Sequence, residues 1–199
     1  MPRAARIVVP DVPHHVVQRG NRQQRIFFSH ADARRYVEML AEACAAHRVR
    51  CLAWCLMPNH VHLVLKPATA SGLRSVMSSV HTRYAQRING RDGLTGHLFQ
   101  DRFRSYPMDE AHLLVAVRYI ENNPVKAGLA PSAEEWRWSS ARTHVGAGID
   151  ALTDVAALAP FIRNWRAYLL EGLESADNEE AIEGALRSGR PLVRDSPSS

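Results

Sequence analysis

Only Pro58 and Asn59 separate the strand-like segment Val49–Met57 from the strand-like segment His60–Lys66. Two such segments joined by so short a break read as the strands of an antiparallel hairpin, closed at its far end by Pro67. The rest of the chain arranges itself around this unit. His14–Arg19 is a β-branched run ended by the turn signal Gly20-Asn21, so it reads as an earlier strand. Ser29 caps a helix, with Asp32 three residues on and Ala33, Tyr36, Val37, Leu40, Ala41 and Cys44 on one stripe. Leu73, Val76, Met77, Val80, Tyr84 and Ile88 mark a second helix, stopped by Asn89-Gly90. Thr95–Ser105, rich in arginine and aromatics, reads as a loop with room for a strand. Asp109 then caps a third helix, which Pro124 ends. This order implies an α+β fold: an antiparallel sheet with packed helices, a sandwich of ferredoxin-like type.

The 199 residues, 46% hydrophobic and 23% charged, have the usage of an ordinary globular chain, which excludes collagenous, low-complexity and wholly disordered classes. The longest aliphatic stretch, Leu113–Val117, is far short of the roughly 20 residues that span a bilayer. Only Ile7, Val8 and Val9 precede Pro10, too little for a signal-peptide core, so the expectation is a cytoplasmic protein. Cys44, Cys51 and Cys55 form no C-x-x-C pair and read as buried reduced thiols. Composition shifts after Gly148, which divides a body, 1–148, from a helical, acidic extension, 149–199. In the extension Trp165 and Tyr168 stand at helical spacing, 178–187 reads as a short helix, and Asp195–Ser199 as a frayed end.

Charge is uneven. Residues 1–150 hold 20 Lys+Arg against 12 Asp+Glu, and 151–199 hold 5 against 8, so a body of +8 carries a tail of −3. Of the 25 basic residues all but Lys66 and Lys126 are arginine. Arginine's planar fork suits phosphates and bases. A polyanionic partner and a GC-rich coding bias both account for that excess. All ten histidines also precede residue 150, which places any chemistry in the body.

His60 and His62, two apart on a strand, project to one face while Val61, Leu63 and Leu65 project to the other. Paired imidazoles can hold a metal, or can be hydrogen-bonded core or surface residues. In the third helix Leu113, Val117 and Ile120 define the apolar face, and Tyr119 lies well over 100° from it. Asn123, one turn on, and His112, two turns back, share its side. A hydroxyl nucleophile and a neutral oxygen ligand opposite two histidines would complete a metal-assisted phosphoryl-transfer site. A tyrosine packed on a second face is the alternative.

Four blocks then resemble a known family: Trp54–Leu63, Thr95–Ser105, Arg118–Leu129 and Trp138-Ser139-Ser140. They are similar to the single-tyrosine (Y1) HUH transposases of the IS200 type, especially the REP-associated tyrosine transposases, whose N-terminal signature Pro13–Arg22 also resembles. The likeness spans about residues 2–146 in the family's order. It implies that His60 and His62 bind a divalent metal, Mg²⁺ or Mn²⁺, with Asn123 as third ligand. It further implies that Tyr119 attacks a phosphate of hairpin-forming single-stranded DNA from palindromic repeats, leaving a 5′-phosphotyrosine and a free 3′-OH. No nucleotide cofactor is implied, and a monomer is. Arg19, Arg22, Arg102 and Arg104 lie in the matching blocks and are the candidate DNA contacts. Phe99 and Phe103 read as packing residues or as base-stacking surfaces. His14 and His15 read as structural or DNA-facing, and Tyr84 and Tyr106 as poor rivals to Tyr119. Two residues depart from the family's pattern: Asp11 and Asp101 stand where glycine is usual. A hairpin-binding protein that no longer cuts, and a metal nuclease that uses water, are the competing readings.

Overall fold

The computed structural model describes residues 7–174 and 184. Four strands, β1 (His14–Arg19), β2 (Val49–Met57), β3 (His60–Pro67) and β4 (Arg104–Pro107), form one antiparallel sheet in the order β2-β3-β1-β4. The expected hairpin is β2–β3, and the expected room for a strand near 95–105 is taken by β4. One face of the sheet carries α1 (His30–Ala46) and α2 (Gly72–Asp92). The other carries α3 (Glu110–Lys126), the single turn α4 (Ala141–His144) and α5 (Trp165–Glu174). The ferredoxin-like α+β sandwich is thus the observed fold, with a helical layer on each side. All three cysteines are free and buried. Among the described residues no helix is long and apolar enough to cross a membrane.

Strand parity decides which side chains reach which layer. In β3, Val61, Leu63 and Leu65 enter the core under α1 and α2. In β2 a register shift between Cys51 and Ala53 inserts Leu52, so that Trp54 and Leu56 face α1 and α2 while Ala53, Cys55 and Met57 face α3.

Local signals hold with two corrections. Ser29 Oγ accepts from the Asp32 amide at 3.2 Å and Asp109 Oδ1 from the His112 amide at 2.9 Å, so both helices start as their caps require. Helix α2 runs past Asn89-Gly90 to Gly93, whose left-handed φ of 63° ends it; a helical glycine costs only about 1 kcal/mol, whereas the left-handed cap terminates the helix. Helix α3 continues through Pro124 to Lys126. A proline removes one backbone hydrogen bond, and the last turn is retained through Ala127 N–H to the Asn123 carbonyl at 3.0 Å.

Gly20 follows β1 and donates its N–H to the Asn59 carbonyl at 2.8 Å, tying β1 to the hairpin turn. A Cβ there would stand 2.2 Å from the Gln24 carbonyl oxygen, so only glycine fits. Asp11 and Asp101, the departures from the family pattern, have φ of 59° and 47°. Glycine is free in that left-handed region, and aspartate tolerates it better than most residues.

Residues 138–154 run along the outer edge of β2, with Leu56 N–H to the Trp138 carbonyl at 2.8 Å and Asp154 N–H to the Cys51 carbonyl at 2.8 Å, and they cover that edge. Among the described residues of the extension, the 3₁₀ turn Val155–Ala157 precedes α5, which begins at Trp165; the reach before α5 is committed to these edge contacts and turns. The helix expected at 178–187 lies outside the described residues but for Gly184, as does the frayed end at 195–199. Helix α5 is bound to α3 around Glu121, which is fully buried. Glu121 Oε1 accepts from Ser140 Oγ at 2.5 Å and lies 2.6 Å from His144 Nδ1, and Oε2 accepts from Trp165 Nε1 at 2.7 Å. Asn122 Nδ2 donates to the Leu169 carbonyl at 2.8 Å, and the Tyr168 hydroxyl donates to the Leu114 carbonyl.

Removing the Glu121 carboxylate strands the buried ring nitrogens of His144 and Trp165 and leaves Ser140 Oγ only its bonds to the Trp54 backbone. Glu121→Ala should cost about 3–5 kcal/mol in chemical denaturation. Gly20→Ala should cost about 1–3 kcal/mol in the same measurement, because backbone atoms must move to admit the methyl group.

Candidate active site

Strand β3 presents His60 and His62 toward the α3 layer, as the alternation requires, with ring centroids 4.8 Å apart. Directly opposite in β1 stand Arg19 and Val17, so His15, Val17 and Arg19 share this sheet face with both histidines. Arg104 and Tyr106 of β4 pair with Val17 and His15 and extend the same face. Helix α3 crosses above it. Its apolar side buries Leu113, Ala116, Val117 and Ile120, while Tyr119 remains half-buried and meets His62 edge-on at 5.7 Å between ring centroids. The structure therefore brings His60, His62 and Tyr119 together. Asn123 stands one turn further along α3, half-buried, donating Nδ2 to the Tyr119 carbonyl at 3.3 Å, so that its Oδ1 is the ligand atom it has to offer. His112 is drawn away to Asp109 Oδ1 at 2.7 Å.

The surroundings keep the imidazoles neutral. Burial lowers His60 to about 4, helped by the charge of Arg19. It pushes His62 well below its ordinary value, with His60, His15 and Arg19 adding to the effect. Asn59 orients His60: its Nδ2 donates to the Gln23 carbonyl at 3.2 Å, which turns Oδ1 to accept from His60 Nδ1 at 2.7 Å. The lone pair of His60 is then on Nε2. Two neutral imidazoles and an amide oxygen make a mixed nitrogen–oxygen set, which suits Mn²⁺ well and Mg²⁺ acceptably. Among the described residues no group of three His, Cys, Asp or Glu side chains is placed to hold a metal.

The four candidate arginines are all exposed and gather at one end of the sheet. Asn21 N–H to the Leu98 carbonyl at 2.8 Å and Gln100 N–H to the Arg19 carbonyl at 2.9 Å bind the loop after β1 to the loop before β4. Gln18 Nε2 adds a bond to the Gln100 carbonyl at 2.7 Å. Arg19 and Arg104 thus lie on the histidine-bearing face, with Arg22 and Arg102 in the joined loops beside it.

Other expectations are narrowed. Phe99 and Phe103 are buried, 9% and 8% exposed, and Phe99 stacks on His81 at 4.1 Å, so packing is their role. Aromatic surface is available elsewhere: Phe28, 49% exposed, and Trp138 border a cleft of about 260 Å³ with Arg25, His30 and Trp136, beside the hairpin turn at Pro58. Tyr84 and Tyr106 are buried. His14 and His15 are fully buried, which removes the DNA-facing alternative. His14 donates Nδ1 to the Val12 carbonyl at 2.8 Å and accepts the Val9 amide at 3.2 Å. His15 and His62 are hydrogen-bonded, Nε2 to Nδ1 at 3.0 Å. From the sequence, His15 reads only as structural or DNA-facing, and no role is assigned to Asn59 or Glu121. The strand alternation that placed His60 and His62 could have placed His15 on a face, but not beside them.

The solved structure of a REP-associated tyrosine transposase bound to a REP hairpin superposes with a TM-score of 0.56, at 19% identity, over 78% of this chain and 93% of that one. It shares the fold. A candidate transposase from Deinococcus radiodurans R1 aligns at 17% identity over 61% of this chain and 97% of its own, with a TM-score of 0.43. No curated protein matches. Residues 8–123, which hold β1–β4, both histidines, Tyr119 and Asn123, match the sequence profile of the family described as Transposase IS200 like, and the chain belongs to that family.

Proposed function

We propose that this transposase binds hairpin-forming single-stranded DNA and cuts and rejoins it through Tyr119. The observation that carries the reading is the meeting of Tyr119 with the His60–His62 pair on one half-buried face, 5.7 Å from His62 ring to ring. Tyr119 supplies the nucleophile: its phenolic oxygen bonds to the scissile phosphorus, the bond from phosphorus to the 3′ oxygen breaks, and the departing 3′ oxygen takes up a proton. The phenol's proton leaves to solvent. The DNA is left joined to Tyr119 through its 5′ phosphate, and the bond energy is kept for rejoining without a nucleotide. His60, His62 and Asn123 would hold a divalent metal, Mg²⁺ or Mn²⁺, which when bound stabilises charge on the phosphoryl oxygens. A phenol ordinarily ionises near about 10, so such help is needed at neutral pH.

Arg19, Arg22, Arg102 and Arg104 take the backbone, and Phe28 and Trp138, partly exposed beside the cleft, are the aromatic rings an unpaired base could reach. The solved relative's REP hairpin supports a folded single strand as the substrate.

Incubating the protein with Mn²⁺ and labelled hairpin DNA should give an SDS-resistant protein–DNA adduct. Tyr119→Phe should reduce it by more than about 10³-fold. Binding without any adduct would favour a non-cutting hairpin binder, and nicking that survives Tyr119→Phe would favour a water-using nuclease. Four phosphate contacts imply that affinity falls about 50- to 150-fold between about 50 and 200 mM salt, each Arg→Ala lowering the slope by about 1. A flat response in a fluorescence-anisotropy titration rules out the arginine contacts.

A further inference from the structure

His15 is fully buried beneath the site, and nothing in the family comparison gives it a role. Its Nε2 lies 3.0 Å from Nδ1 of His62, the more buried histidine of the pair. Its ring stands edge-on to Tyr119, with centroids 6.3 Å apart, and 5.2 Å from the His62 ring. Its other nitrogen, Nδ1, has no hydrogen-bond partner among the described residues.

A neutral histidine pair joined in this way has two proton arrangements. In one, His15 donates from Nε2, and His62 carries its proton on Nε2, so neither nitrogen of His62 has a lone pair to offer outward. In the other, His62 donates from Nδ1 to His15 Nε2, His15 keeps its own proton on Nδ1, and the Nε2 lone pair of His62 is left to bind a ligand. Only the second matches His60, whose Nδ1 proton is fixed by Asn59 and whose lone pair is also on Nε2. A metal ligand of this kind is normally oriented by a partner on its second nitrogen. The geometry points to His15 as that partner. We infer that His15 is a positioning residue, which accepts from His62 Nδ1 and thereby fixes both the ring and the tautomer with which His62 holds a divalent cation.

The inference rests on the metal reading of His60 and His62 proposed above. Its test is Mn²⁺ binding, measured by calorimetry or by the loss of the free-ion EPR signal. His15→Leu should bind Mn²⁺ about 10- to 100-fold more weakly than the wild type. His15→Gln, whose Oε1 can reach the same position as an acceptor, should recover most of that loss. Hairpin binding in EDTA should be equal in all three proteins, which separates lost positioning from lost folding. Equal Mn²⁺ affinity in His15→Leu overturns the inference, as do equal losses in the Leu and Gln variants. If the Leu variant does not fold, ¹⁵N histidine spectra of the Mg²⁺-loaded wild type decide: a proton on His62 Nδ1 supports the assignment, and a proton on His62 Nε2 overturns it. A wild-type chain that binds no Mn²⁺ overturns the metal reading and this inference together. Normal wild-type binding with an unaffected Leu variant overturns the inference alone.

Discussion

The alternation of β3 is the constraint on which the site depends. Val61, Leu63 and Leu65 are fully buried under α1 and α2, so a one-residue slip would put three aliphatic side chains under the tyrosine helix and two imidazoles in an apolar core. That is too costly to occur, and the register of the hydrophobic face therefore fixes where His60 and His62 point. Pairing with β1 extends the constraint sideways. Because Arg19 is opposite His60 and Val17 opposite His62, the charge of Arg19 and the ring of His15 are delivered to the same face. The chemistry of the site is a by-product of core packing on the reverse side of the sheet.

The tyrosine helix follows the same logic with a different period. Between Tyr119 and Asn123 lie Glu121 and Asn122, which a turn of 100° per residue sends away from the histidines. Those two residues are fully buried and hold α5, Glu121 through Trp165 and Asn122 through the Leu169 backbone, while Glu121 also takes Ser140 and His144 at α4. One short stretch thus faces the substrate with one side and anchors α5 with the other. A buried carboxylate is stable only when its oxygens are hydrogen-bonded, and Ser140, His144 and Trp165 are the partners here.

Much of this was legible in the sequence because it is local. The β2–β3 hairpin, the caps at Ser29 and Asp109, and the placing of Tyr119 off the apolar stripe follow from spacings of two to four residues. The misreadings at Asn89-Gly90 and Pro124 are also local, and arise because glycine and proline weaken a helix without having to end it. The bulge at Leu52 was not legible, since Cys51–Met57 is apolar on both faces and carries no alternation to betray an extra residue.

The sequence by itself determined the elements, the two histidines sharing a face, and the tyrosine with a polar partner one turn away, because each of these depends on backbone periodicity alone. Tertiary structure decided what those residues touch. It set His15 under His62 across 47 positions, buried Phe99 and Phe103 and left Phe28 open, and turned the acidic-looking Glu121 into an anchor for α5. The physical reason is that burial and hydrogen-bond partnership are properties of the packed whole: the same residue is a ligand, a prop or a surface group according to what the other layers bring against it.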